Sequence, residues 1–252
     1  MTKTATITLI TGANRGMGLE IAEELAQKGQ QVILGSRDLQ KGQAAQKQLA
    51  AANISVDVLQ LDVTDPTSVR QAAAAITNKY GYLSILINNA GAVFDAQKKP
   101  SEILQSALRA DFDLNYFGLI DVTQQLLPLL KKTPQAKIIN ISSMMGSITN
   151  ALNPKSEVYR ASAVGYQSSK AALNMYTVQL AKELQQAGLP ITVNAIDPGM
   201  VATEFGGVTP DQAKAMGAKP VDFGVAQTVA LATDPDNQST ATFTNTHGPV
   251  AW

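Results

Sequence analysis

Apolar residues follow two periods along this chain, and the periods alternate. Short runs rich in Ile, Leu and Val at 6–10, 31–34, 55–61, 84–87, 136–141 and 191–196 read as strands. The run at 84–87 is almost wholly apolar, the mark of a parallel strand buried on both faces. Longer stretches between them repeat apolar residues at helical spacing. They predict helices over 18–28, 38–51, 64–80, about 101–108, 110–130 and 165–187, and a seventh strand is expected near 240–244. Gly29 stops the first helix, and Thr64-Asp65-Pro66 starts the third with proline in its first turn. Strand–helix units of roughly 20–30 residues imply right-handed parallel crossovers. The predicted fold is a single doubly wound α/β domain over 1–252, with about seven parallel strands and helices on both faces. Two stretches break the rhythm, about 144–165 and 200–220. Both follow strand ends, where open α/β sheets bind ligands.

Composition narrows the function. The 252 residues are 45% hydrophobic and 16% charged, with 20 Lys+Arg against 20 Asp+Glu. Neutral net charge argues against a nucleic-acid partner. No cysteine is present, which excludes disulfides, thiolate metal sites and a cysteine nucleophile. A Ser-His-Asp site would have to use the one histidine, His247, and no multi-histidine metal site is possible. No stretch approaches the roughly 20 apolar residues of a membrane span, and the first ten residues lack a signal-peptide pattern. A cytoplasmic location with no membrane partner is expected.

Thr11-Gly12-Ala13-Asn14-Arg15-Gly16-Met17-Gly18 lies between the first strand and the first helix. Such glycines also serve a plain turn with positive φ. In this place they allow a tight turn and close approach of a pyrophosphate to the free N–H groups of the helix. Sites for a free 2′-hydroxyl carry an acid at the end of the second strand. Here Ser36 and Arg37 stand there, and Arg15 sits in the turn. Two guanidiniums suit a ribose 2′-phosphate, so NADPH/NADP+ is the expected cofactor. Asp38 reads as a helix N-cap. Asp62, followed by Val63, either accepts from an adenine amino group or only caps the turn at Thr64.

Together with Asn88-Asn89-Ala90-Gly91 after the fourth strand and Tyr166-x-x-x-Lys170 on a helix, the glycine turn resembles the short-chain dehydrogenase/reductases. Ser142-Ser143-x-x-Gly146 and Asn194-Ala195-Ile196-Asp197-Pro198-Gly199 complete the resemblance, which runs along nearly the whole chain. The chain is most similar to the NADPH-dependent carbonyl reductases. The resemblance implies that Tyr166, Lys170, Ser143 and Asn115 are catalytic, with Asn115 holding a relay water or else bracing a helix kink. It also implies that Lys170 binds the nicotinamide ribose. Asn89, Ala90 and Gly91 then line the adenosine ribose, while Val201 and Thr203, past Pro198 and Gly199, hold the carboxamide.

Tyr166 and Lys170 are four apart, about 5–6 Å on one helix face. An ammonium at ~5 Å and effective ε of ~20 favours phenolate by ~3 kcal/mol, or roughly two pKa units. That spacing predicts a phenol lowered toward neutrality, able to protonate a carbonyl oxygen held by Ser143. Phe94, Met144, Met145, Leu152 and Phe205 are the expected pocket walls. They suit a small uncharged carbonyl substrate. Gly206-Gly207 is a candidate hinge for a lid. Tyr166 follows Ser143 by 23 positions, about ten more than in many relatives. In carbonyl-reductase-like members such an insertion covers a helix surface used for tetramers, so monomer and homo-oligomer both stay open. A 3-oxoacyl-thioester reductase and a non-catalytic NADPH sensor are the alternative functions.

Overall fold

The computed structural model describes residues 5–252, so the reading of the first ten residues falls partly outside it. β1 (Ile7–Thr11), β2 (Gln31–Ser36), β3 (Asp57–Gln60), β4 (Ile85–Asn88), β5 (Ala136–Ile141), β6 (Ile191–Ile196), β7 (Phe243–Asn245) and β8 (Gly248–Pro249) form one sheet. Its order is β3-β2-β1-β4-β5-β6-β7-β8. All neighbours are parallel except β7 and β8, which close as an antiparallel hairpin. That hairpin adds one strand to the expected seven.

Period two within the strands sends side chains to two cores. Ile7, Leu9, Leu86, Ile138 and Val193 face α3 (Pro66–Tyr80), α5 (Gly118–Leu130) and α7 (Val164–Gln186). Ile10, Leu34, Ile87, Ile139 and Ile196 face α1 (Gly16–Gln27), α2 (Leu39–Ala51) and α9 (Val221–Thr233). Sequence periodicity missed α9, because its small apolar residues lie on all sides. Burial against α1 forms it.

Asp38 caps α2 by accepting from the Gln40 and Lys41 N–H groups, and Asp65 caps α3 at Thr67. The expected helix at about 101–108 begins later, as α4 (Gln105–Phe112). The stretch expected as one helix over 110–130 is broken by a π-helical turn, Asp113–Phe117, before α5. The insertion after β5 forms a 3-10 turn (Met144–Gly146) and α6 (Ile148–Leu152). Its far end is fastened to the loop after β4: Gln97 N–H donates to the Ser162 carbonyl (2.7 Å) and the Ser162 hydroxyl to that of Lys98 (2.8 Å). A short α8 (Pro210–Ala215) precedes α9. Among the described residues no helix is long and apolar enough to cross a membrane.

A buried polar ladder crosses the sheet where the β4 and β5 carboxyl ends meet the helices. Asn88 Nδ2 donates to Asn140 Oδ1 (2.9 Å) and Thr123 Oγ1 (3.1 Å), and Asn140 Nδ2 donates to Thr177 Oγ1 (2.9 Å). Removing one member leaves its partners buried and unpaired, at roughly 1–3 kcal/mol each. Asn140→Ala is therefore expected to lower unfolding free energy by about 2–4 kcal/mol in urea titration.

Candidate active site

β1 and β4 are neighbours in the sheet, although three crossovers separate them in sequence. Their carboxyl ends open the crevice where the strand order reverses. The glycine turn occupies it, with Gly12 and Gly16 at φ of +64° and +56°. A Cβ at Gly12 would lie 3.0 Å from the Ala90 backbone, and one at Gly18 would lie 2.6 Å from Asn89 Nδ2. Asn89 clasps the turn: its amide donates to the carbonyls of Thr11 (2.8 Å) and Gly12 (3.1 Å). The Thr11 hydroxyl in return accepts from the N–H groups of Asn89 and Ala90. At the head of α1, Arg15 makes no side-chain cap, so no side chain there competes with an anion for the first N–H groups. A cleft of about 510 Å³ runs from Arg15 along Gly91 to Val93 and under Glu204 to Thr209.

Tyr166 and Lys170 lie in the first two turns of α7, and both are almost fully buried, at 7% and 4% exposure. The Lys170 ammonium sits 5.6 Å from the centroid of the Tyr166 ring and donates to the Ile141 carbonyl at the end of β5 (2.8 Å). Ser143 starts the 3-10 turn after β5. Phe205 packs edge-on against Tyr166, with centroids 5.8 Å apart. Gly91 faces this group: a Cβ there would lie 2.9 Å from Asn115 Oδ1 and 3.7 Å from Lys170 Nζ.

Burial sets the protonation states. Desolvation pushes the Lys170 pKa down to about 8, so it remains a cation at neutral pH. Burial raises the Tyr166 phenol above its ordinary value; the Ser143 hydroxyl pulls the other way, while Asp197 and Asp111 raise it further. The expected fall of two pKa units is therefore overturned. Helical spacing supplies the attraction to Lys170, but says nothing of the desolvation of phenolate in a closed site. Both groups carry their protons at pH 7.

The short chain dehydrogenase sequence profile matches residues 6–214. The chain belongs to the short chain dehydrogenase family. A short-chain dehydrogenase of Penicillium roqueforti is 35% identical over 225 residues, covering 86% of this chain and 87% of that one. Mouse carbonyl reductase [NADPH] 1 is 29% identical, with 82% and 86% covered. Among solved structures, the NADPH-bound carbonyl reductase from chicken fatty liver superposes with a TM-score of 0.84. It is 30% identical and covers 99% of this chain and 100% of its own.

Several of the expected site residues make structural contacts of their own. Asn115 sits in the π-helical turn and both ends of its amide are held by Ala92: Oδ1 accepts from the N–H (3.0 Å) and Nδ2 donates to the carbonyl (2.8 Å). Its side chain braces the kink. Ser36 is fully buried and donates to the Asp38 carbonyl (2.7 Å), which shapes the turn that exposes Arg37. Asp62 Oδ1 closes the turn onto the N–H and hydroxyl of Thr64. Val63 packs in the core, and the Val201 side chain packs on Gly224 of α9. Thr203 lies beside Gly16.

Of the expected walls, Phe205 meets Tyr166. Met144 instead packs toward Ala195, Phe243 and Val250, while Leu152 is 74% exposed. Met145 is half-buried, and Phe94 is 50% exposed. Gly206 and Gly207 both have positive φ, +77° and +80°, a backbone that favours glycine at these positions. His247 rests against Phe223. Sequence reasoning missed Asp197, which is buried and accepts from Met144 N–H (2.9 Å), fixing the turn that carries Ser143. Its position in the Asp-Pro-Gly run after β6 was the available signal.

The lowered Lys170 pKa has a thermodynamic consequence. A lysine at about 8 when folded and about 10.4 when unfolded opposes folding fully below pH 8, and the penalty disappears as pH rises through that interval. Lys170→Met is expected to raise stability by about 2 kcal/mol at pH 7, allowing for the lost bond to Ile141. The gain should shrink toward pH 10.5 in paired thermal melts.

Proposed function

We propose that this short chain dehydrogenase is an NADPH-dependent reductase of uncharged ketones and aldehydes, with Tyr166 as proton donor. The observation that carries the reading is the buried, protonated Tyr166, beside Ser143 and the Lys170 ammonium, packed edge-on against Phe205 in the wall of the cleft that begins at Arg15. A carbonyl oxygen lodged between the Tyr166 and Ser143 hydroxyls meets two donors. As negative charge grows there, Tyr166 transfers its proton. The Lys170 ammonium, about 5.6 Å from the ring centroid, stabilises the phenolate left behind. The raised pKa keeps the phenol charged with its proton until substrate arrives.

The residues present fit a phosphorylated dinucleotide. Positive-φ glycines, an α1 terminus without a side-chain cap, and a Gly91 that leaves room against Lys170 make the cradle. Asn14 in the glycine turn, Met17 in the first turn of α1, and Pro198 and Gly199 after β6 are assigned to its walls. NADPH, when bound, supplies the hydride. Arg37 is exposed at the β2 end, and Arg15 is paired with Glu204 at 2.5 Å. That pair is more than half exposed and contributes at most about 1 kcal/mol, so Arg15 is free to exchange Glu204 for a 2′-phosphate. Mouse and chicken relatives whose names specify NADPH support this choice.

The test is reduced-nicotinamide oxidation with a panel of ketones, aldehydes and 3-oxoacyl thioesters. Simple carbonyls should turn over with NADPH, and Tyr166→Phe should lower kcat at least 10²-fold. Turnover of thioesters alone would overturn the substrate class, and tight NADPH binding without turnover would favour a sensor. Arg15→Ala with Arg37→Ala should cut the NADPH/NADH preference in kcat/KM by 10-fold or more, about 1.4 kcal/mol.

A further inference from the structure

Two carboxyl groups that the proposed reaction does not use lie directly under the proton donor. Asp95, in the loop after β4, and Asp111, on α4, both have no exposed surface. Asp95 Oδ2 accepts from Gly165 N–H (2.6 Å) and Oδ1 from Tyr166 N–H (3.3 Å). It thereby ties down the first turn of α7, whose own N-cap, Ala163, has no side chain able to do so. Asp111 Oδ1 accepts from Phe94 N–H (3.2 Å), but its buried Oδ2 has no partner. The two Oδ2 atoms crowd the same point: a Cβ on Gly165 would lie 2.8 Å from that of Asp111 and 3.2 Å from that of Asp95.

Among the described residues, neither carboxyl has a lysine, arginine or histidine within salt-bridge distance. The nearby chain charges, Lys98 on the loop and Arg109 and Asp113 on α4 and its π-helical extension, are exposed. From α7 the facing groups are the Gly165 and Tyr166 N–H donors and the Tyr166 phenol, with the Lys170 ammonium one turn further on, bonded to Ile141. Asp197, after β6, acts on the same phenol. The positive pole of a helix N-terminus amounts to about half a charge, too little to balance two carboxylates. A proton on Asp111 Oδ2 gives the orphan atom a role, as donor to Asp95.

We propose that Asp95 and Asp111 share one proton and act as positioning residues for Tyr166. With the proton present, the pair clamps the first turn of α7. Once it leaves, the second negative charge strains the clamp and opposes phenolate formation, so carbonyl reduction is favoured on the acid side. Burial and the neighbouring Asp95 raise Asp111 to about 6, and Asp111 in turn raises Tyr166. This rests on the reductase reading above.

Asp111→Asn mimics the protonated form, since its amide donates where the shared proton did. In the wild type, log kcat for carbonyl reduction should bend downward above about pH 6. In Asp111→Asn the bend should be absent, leaving the variant on the order of fivefold faster at pH 8. Asp95→Asn, which puts a donor against Gly165 N–H in one of its two orientations, should lower kcat with little change in KM for NADPH. Parallel kcat profiles for wild type and Asp111→Asn would overturn the proposal.

A second readout needs no turnover. An acid raised from its unfolded value near 3.9 to about 6 opposes folding above pH 6, and that penalty vanishes as pH falls toward 4. Asp111→Asn should therefore exceed the wild type in Tm at pH 8 and lose most of that margin only as pH falls to about 4. If no carbonyl is turned over, the reductase reading fails, and the thermal comparison alone judges the shared proton. A margin that does not vary with pH overturns it.

Discussion

A parallel strand cannot be joined to its neighbour by a tight turn, so every crossover must travel back across a face of the sheet. That constraint governs this molecule. It sends α1, α2 and α9 to one face and α3, α5 and α7 to the other, burying the strands on both sides. It also brings the carboxyl end of every parallel strand to a common rim. Loops at 12–16, 89–104, 142–163 and 197–220, far apart in sequence, become neighbours there. The cleft along Arg15, Gly91 and Phe205 is one result.

Polar groups on that rim are buried, and each must find a partner inside the protein. The Asn88–Asn140–Thr177 ladder, the Asn89 clasp on Thr11 and Gly12, and the Asn115 grip on Ala92 meet that demand with side-chain amides. An amide carries both donor and acceptor atoms, so one side chain can join two groups at once. These residues look like ligand contacts in a motif. In space they hold the backbone so that Lys170, Tyr166 and Ser143 converge. The same enclosure sets the charge states: it lowers Lys170 and raises Tyr166, leaving an ammonium beside a neutral phenol.

Binding and chemistry then divide between two kinds of element. The groups proposed to react stand on α7 and just after β5, parts of the sheet-and-helix frame. The segment carrying Glu204, Phe205, Gly206 and Gly207 is a short turn with left-handed glycines, joined to the frame near Arg15 by an exposed ion pair. In the proposed reaction, the proton donor on the frame would face this turn across Phe205.

Local patterning along the chain was enough for the order and type of the main elements, the glycine turn, the Tyr166–Lys170 spacing and the caps at Asp38 and Asp65. All of these depend on local periodicity, positive φ or a side chain bonding its own neighbouring backbone. Tertiary structure decided the rest. α9 forms because α1 covers it, and the long helix expected over 110–130 takes a π-helical turn where Asn115 reaches Ala92. Asp95 and Asp111, 16 residues apart and without a motif, meet under Gly165 only because α4 and the β4 loop pack against α7. Local spacing gives the distance between two groups on one helix. Their desolvation, and the partners that come from other strands and loops, exist only once the chain has closed around them.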